Sequence, residues 1–159
     1  MDYFQGVVSD YLRANRSTFV NAECCIQIDA GGEPLKGRHW YCDAVAANFE
    51  DSTIYLCEIT YSKSLKALVD RLHAWSNCWP DLRASIARDC SVPSNWAVQP
   101  WVFIPGELRS KLKARFQSAG TLMGAPDQMP YPKVTDLEAV MPWKYSSWNR
   151  KHVGQENDV

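Results

Sequence analysis

The 159 residues are sufficient for one domain with its own hydrophobic core. The composition, 46% hydrophobic and 22% charged, is typical of a globular protein, and the formal net charge of −1 gives no overall attraction to nucleic acid. No apolar run approaches the roughly 20 residues that cross a membrane, and the N-terminal sequence lacks a signal-peptide pattern. The six cysteines form no CxxC pairs, which favours a reducing cytoplasm. We expect residues 1–152 to form a single domain and 153–159 to form a flexible tail.

The hydrophobic periodicity predicts an amphipathic helix over residues 2–14 and a first strand over 18–29. Two short apolar runs, Trp40–Phe49 and Thr53–Tyr61, then predict a hairpin of strands buried on both faces. The later predicted elements are a helix over 63–79 capped by Ser62, a shorter helix over 80–89, a strand over 96–104, a helix over 107–118, a Gly- and Pro-rich loop over 120–132, and a short element over 135–142.

This order of elements predicts a single α/β domain with a mixed central β-sheet flanked by helices. Three antiparallel strands come first, and the helix after them crosses over right-handed, which makes the fourth strand parallel to the third. Thr135-x-x-Glu138 is read as a capping box for the short element near the C-terminus.

Each strand of the central hairpin carries one acidic residue in its interior, Asp43 in the first and Glu58 in the second. A four-residue loop between the strands, built on a type I turn, places Asp43 directly opposite Glu58, with Cβ atoms roughly 4.5–5.5 Å apart. The same alternation puts Asp43 on one face with Val45 and puts Cys42 on the other face with Ala44. Two carboxylates so close destabilise a sheet unless a cation lies between them or one of them is protonated.

Two explanations of the acidic residues remain open at this point. Two carboxylates on inner strands form a hard-oxygen site suited to Mg²⁺ or Mn²⁺. The structural alternative is an ion pair with a basic side chain of a packed helix, such as Lys66 or Arg71.

The order helix, three strands, helix, strand, with acids in the second and third strands, resembles the PD-(D/E)xK nuclease superfamily. The resemblance covers residues 2–104 and implies a restriction-endonuclease-like αβββαβ core and a metal-dependent cleavage of phosphodiester bonds, with DNA favoured over RNA. It implies metal binding by Asp43, Glu58 and the Ile59 carbonyl. Asp10 of the first helix is the candidate further ligand, with Glu23 as the runner-up.

The family's motif lysine corresponds to position 60, where this sequence has Thr60. In the family the metal lowers the pKa of an attacking water, and the lysine orients or deprotonates that water. Lys63 is the first candidate to replace the lysine, because it starts the following helix and could reach back to the acids. If no lysine replaces it, the chain would be a catalytically lapsed nuclease fold that binds nucleic acid or a protein partner.

The candidate nucleic-acid contacts are basic residues near the acids and near the C-terminus. Such residues bind phosphates in some proteins and form the solvated side of a helix in others. A homodimer would suit the cutting of both strands of a duplex. The candidates are Lys66, Arg71, Lys144, Arg150 and Lys151.

Overall fold

The protein forms one mixed β-sheet flanked by helices, as seen in a computed structural model. The structure describes residues 2–30, 36–117, 127–146 and 150, and no helix in those ranges is long and apolar enough to cross a membrane. The strands there are β1 (Thr18–Gln27), β2 (His39–Asn48), β3 (Thr53–Ile59), β4 (Ala97–Ile104) and β5 (Lys133–Asp136). The α-helices there are α1 (Tyr3–Ala14), α2 (Lys66–Asn77), α3 (Trp79–Cys90) and α4 (Arg109–Arg115), and short 3₁₀ helices span Gly106–Leu108, Leu137–Val140 and Pro142–Lys144.

The strand order in the sheet is β1-β2-β3-β4-β5. The three antiparallel strands and the parallel pairing of β3 with β4 confirm the prediction. The predicted strand count was wrong, because β5 adds a second parallel neighbour to β4. The pairing of β4 with β5 begins at Trp101, one residue after Pro100. On the side of β4 that faces β5, Pro100 is therefore at a sheet edge, where its missing N–H leaves no strand partner unsatisfied.

The fifth strand forms where a capping box was predicted, because both side chains of that motif have other partners. The Thr135 hydroxyl accepts a hydrogen bond from Trp101 Nε1 (2.8 Å), and the Glu138 carboxylate accepts one from the Gly106 N–H (3.0 Å). Arg109 of α4 forms an ion pair with Asp136 at the end of β5. These contacts join β5 to β4 and α4, and Glu138 lies in a 3₁₀ turn instead of a capped helix.

Two hydrophobic clusters cover the two faces of the sheet. One contains Leu56 of β3 with the apolar residues of α2, α3 and α4, and the other contains Cys57 of β3 with Val8 and Leu12 of α1. Six of the seven residues of β3 are buried, which confirms the prediction of a strand covered on both faces. The acidic hairpin therefore lies in the middle of the sheet, with α1 on one side and α2 on the other.

Helix α2 begins three residues later than predicted, and Ser62 does not cap it. Leu65 precedes the helix with a left-handed backbone (φ 55°) and a buried side chain. Lys111 and Arg115 donate hydrogen bonds to the carbonyls of Lys63 and Ser64. The segment 60–65 is thus an extended loop that α4 holds from outside, and this contact between distant residues overrides the capping signal.

The side-chain alternation of β1 and β2 changes at one position, which the sequence did not predict. Glu23 has a left-handed backbone (φ 53°), and the pairs Ala22↔Ala44 and Cys24↔Cys42 place it opposite Asp43. Cys42 packs with the cluster on the α2 side, whereas Ala44 packs with the cluster on the α1 side. Cys42 and Ala44 were predicted to share a face but lie on different faces, and the change falls at the position opposite the left-handed backbone of Glu23.

Candidate functional site

The hairpin register predicted for the two acidic residues is confirmed up to the pair next to them. A four-residue loop over 49–52 joins β2 to β3, and the pairs run from Asn48↔Thr53 to Ala44↔Cys57. The pairing ends one position before Asp43 and Glu58. Asp43 binds Gln5 of α1, whereas Glu58 binds Arg71 of α2 on the other side of the sheet, so the prediction that both carboxylates share one face is not confirmed. The charge of Asp43 raises the pKa of Glu58, and a hydrogen bond with Glu58 lowers the pKa of Asp43, so the two side chains interact directly. We call Asp43 and Glu58 the acid pair.

Asp43 is half-buried and its two carboxylate oxygens have different partners. The Gln5 side-chain amide Nε2 donates to Oδ1 (3.0 Å), and the Ile59 backbone N–H donates to Oδ2 (2.8 Å). Burial raises the pKa of Asp43, while the hydrogen bond from Ile59 and the charge of Arg71 oppose that shift. The side chain thus contacts α1 through Gln5.

Glu58 is almost completely buried, with 7% of its surface exposed. Burial and the charge of Asp43 raise its pKa to about 7, and the charge and hydrogen bond of Arg71 only partly offset them. Near neutral pH the acid pair therefore holds a proton part of the time, which is the expected behaviour of two close carboxylates. Within the described residues one cation hydrogen-bonds to the pair, and the proton balances the remaining negative charge near neutral pH.

That cation is Arg71 of α2. Its Nη1 donates to Glu58 Oε1 (2.8 Å) and to the Tyr41 carbonyl oxygen (2.6 Å). Arg71 was predicted both as a structural partner of the acids and as a nucleic-acid contact, and the structure shows the ion pair. A guanidinium supplies positive charge at this point but does not accept a proton at neutral pH.

The other predicted site residues lie further from the acid pair. Ile59 reaches the site through its N–H, whereas its carbonyl was the predicted ligand. Asp10 is exposed on α1, and its charge raises the pKa of the Tyr145 phenol, so it lies toward the C-terminal segment. Lys63 is exposed in the loop before α2. The described contacts therefore give Asp10 and Lys63 no link to the acid pair, and their roles remain predictions.

The predicted nucleic-acid contacts do not share one surface within the described ranges. Lys66 forms an ion pair with Asp70 (2.6 Å) on the exposed side of α2. Arg150 donates to the Leu12 carbonyl and the Thr18 hydroxyl (3.2 and 2.8 Å) and lies over the Tyr11 ring. Lys144 is exposed in the last 3₁₀ helix, and Lys151 and the tail 153–159 lie outside the described residues.

Gln5 is the site residue that the sequence reasoning missed. Asp2 and Gln5 form a capping box, in which the Gln5 N–H donates to Asp2 Oδ1 (2.8 Å) and the Asp2 N–H donates to Gln5 Oε1 (3.1 Å). Since Oε1 is engaged at the helix start, the Nε2 group is left to bind Asp43. The pattern Asp-x-x-Gln before an apolar run was the available signal, because it fixes Gln5 in the first turn of α1.

The acid pair suits a divalent cation of the magnesium type. Mg²⁺ is commonly held by one or two carboxylates with water and substrate phosphates completing its shell, so two acids are a sufficient protein contribution. In the described part of the chain no group of three His, Cys, Asp or Glu side chains is placed to hold a metal. Two carboxylates are a donor set that fits a hard cation that keeps several waters.

Comparison with models of known protein families, with curated proteins and with solved structures finds no match for this chain. The resemblance to the PD-(D/E)xK superfamily therefore depends on the order of the elements and on the acid pair.

Proposed function

We propose that the protein is a divalent-cation-dependent nuclease with a restriction-endonuclease-like core, acting on DNA in preference to RNA. The observation that carries the proposal is the convergence of Asp43 and Glu58 on two central strands, where Arg71 is the cation paired with them among the described residues. A purely structural ion pair needs one acid for Arg71, whereas here a second, half-buried carboxylate lies beside it and raises the pKa of Glu58.

In this proposal Asp43 and Glu58 hold Mg²⁺ or Mn²⁺ through their carboxylate oxygens. When bound, the cation would polarise the phosphodiester and lower the pKa of an attacking water. Gln5 and the Ile59 N–H orient the Asp43 carboxylate, and Arg71 orients Glu58 and supplies positive charge beside the reacting phosphate. Glu58 must lose its proton to bind the cation, so the cation affinity is expected to rise with pH through about 7.

The second candidate is a catalytically lapsed member of the same fold that binds nucleic acid or a protein. Thr60 at the position of the motif lysine favours it, since the Thr60 hydroxyl accepts a hydrogen bond from the Ser62 N–H and carries no charge. Arg71 supplies charge at the site but not the proton transfer of a lysine. The six free cysteines agree with a cytoplasmic location in either case, and the homodimer stays a prediction.

The test is calorimetric titration of Mn²⁺ at pH 6 and pH 8, with a plasmid-nicking assay on the same samples. We expect binding to wild type, tighter binding at pH 8, and loss of both binding and nicking in Asp43→Asn. Asp127→Asn, which removes an exposed carboxylate from a loop, is the matched control. Asp10→Asn tests whether the middle of α1 supplies a ligand. Absence of Mn²⁺ binding in wild type would refute the proposal.

Thr60→Lys and Lys63→Ala separate the two candidates. If Lys63 has taken over the motif role, Lys63→Ala abolishes nicking and the double variant with Thr60→Lys recovers part of it. If catalysis has lapsed, wild type binds Mn²⁺ without nicking, and Thr60→Lys alone is the variant expected to gain activity.

A further inference from the structure

Exposed aromatic rings lie beside the acid pair. Tyr3 and Tyr61 are 66% and 60% exposed, and Phe4 lies between them. The Phe4 and Tyr61 rings are stacked, with centroids 4.8 Å apart and planes 8° apart, and the Tyr3 ring meets Phe4 edge-on at 5.3 Å. Phe4 precedes Gln5, which binds Asp43. We call Tyr3, Phe4 and Tyr61 the aromatic group.

A further exposed ring lies on β2, two residues before Asp43. Tyr41 is 53% exposed, and its carbonyl accepts a hydrogen bond from the same Arg71 nitrogen that binds Glu58. The backbone segments that carry the acid pair and its hydrogen-bond donors therefore also carry exposed aromatic side chains. Large apolar rings grouped together in water are typical of a binding surface.

Basic side chains lie along the loop that carries Tyr61, although the whole chain has a net charge of −1. Tyr61 and Lys63 lie in the exposed loop after β3. Lys111 and Arg115 of α4 bind the backbone of that loop at Lys63 and Ser64. Three cationic side chains thus lie along the loop that displays the Tyr61 ring.

We infer that this surface binds single-stranded nucleic acid, with unpaired bases stacked on Tyr61 and Tyr3 and phosphates held by the loop cations. In a duplex the faces of the bases are already covered by their neighbours, so exposed protein rings give an advantage only with unpaired bases. The inference rests on the proposed function for its consequence, since it makes single-stranded segments the substrate that reaches the acid pair. Binding itself requires no metal and no cleavage.

The experiment measures fluorescence anisotropy of a fluorescein-labelled oligothymidine and of a labelled blunt duplex, both in EDTA so that nothing is cut. We expect wild type to bind the oligothymidine about tenfold more tightly than the duplex, and Tyr61→Ala or Tyr3→Ala to weaken that binding by about tenfold. Tyr61→Phe keeps the ring and is expected to bind like wild type. Phe19→Ala is the matched control, because Phe19 is 65% exposed and meets Phe49 edge-on at the opposite end of the hairpin.

Equal affinity for the duplex, or unchanged binding in both Tyr61→Ala and Tyr3→Ala, would overturn the inference. The same result in Phe19→Ala as in Tyr61→Ala would also overturn it, because any exposed ring would then serve. Ring-dependent binding of the oligothymidine by a protein that takes up no Mn²⁺ would support the inference while refuting the nuclease proposal. Mn²⁺-dependent cutting of duplex that is independent of Tyr61 would support the nuclease proposal and refute the inference of a single-strand binding surface.

Discussion

The raised pKa of Glu58 predicts an unusual dependence of stability on pH. Its pKa moves from the ordinary value of 4.5 to about 7 in the folded protein. Between these values the folded protein keeps a proton that the unfolded chain has released, so the free energy of unfolding falls as pH rises through this window. The shift of about 2.5 units, at about 1.4 kcal/mol each, corresponds to about 3 kcal/mol between pH 4.5 and pH 8. The Glu58 side chain is only 9% exposed, so solvent screening reduces this value little.

Urea unfolding of wild type and Glu58→Gln between pH 5 and pH 8 measures the effect. We expect the wild-type free energy of unfolding to decline across the range relative to that of Glu58→Gln, which has no carboxyl group to titrate. Glu50→Gln, in the exposed turn between β2 and β3, is the control and should follow wild type. Parallel curves for wild type and Glu58→Gln would show that Glu58 titrates near its ordinary pKa. They would refute the raised pKa of Glu58 in the acid pair.

Three further changes test the surroundings of the acid pair and the backbone. Arg71→Gln leaves Glu58 buried without its cation, so we expect a loss of about 2 kcal/mol at pH 8 and a smaller loss at pH 5 by urea unfolding. Gln5→Glu adds a carboxylate beside Asp43, so we expect roughly tenfold tighter Mn²⁺ binding by calorimetry; weaker binding would contradict a cation site there. Ser91→Gly relieves the left-handed residue (φ 53°) that ends α3, so we expect a gain of about 0.5–1 kcal/mol in urea unfolding, and a loss would contradict it.

The hairpin was predictable because its signals are local. Its two runs are short and apolar, and Glu50-Asp51 favours a four-residue loop, which sets the register of Asp43 against Glu58. The parallel pairing of β4 was predictable from the handedness of its crossover. The sequence therefore indicates that the acids meet, before any long-range contact is known.

The missed features depend on contacts between distant residues. Strand β5 forms because β4 offers an edge, and four residues with only Val134 apolar do not specify a strand by themselves. The start of α2 depends on Lys111 and Arg115, some fifty residues further along the chain. The side-chain alternation of β2 changes face at Asp43, opposite the left-handed backbone of Glu23 on the neighbouring strand. The apolar–polar alternation of the sequence does not reveal this change.

The charge balance of the acid pair is the point at which the proposed cation site differs from a structural ion pair. Arg71 compensates one negative charge, and neutral donors, the Gln5 amide and the Ile59 N–H, bind Asp43. Burial and the charge of Asp43 raise the pKa of Glu58, so near neutral pH a proton balances the remaining charge. A structural ion pair keeps that proton, whereas in the proposed function a divalent cation replaces it once Glu58 is deprotonated. What balances the second carboxylate, a proton or a cation, therefore decides between the two roles.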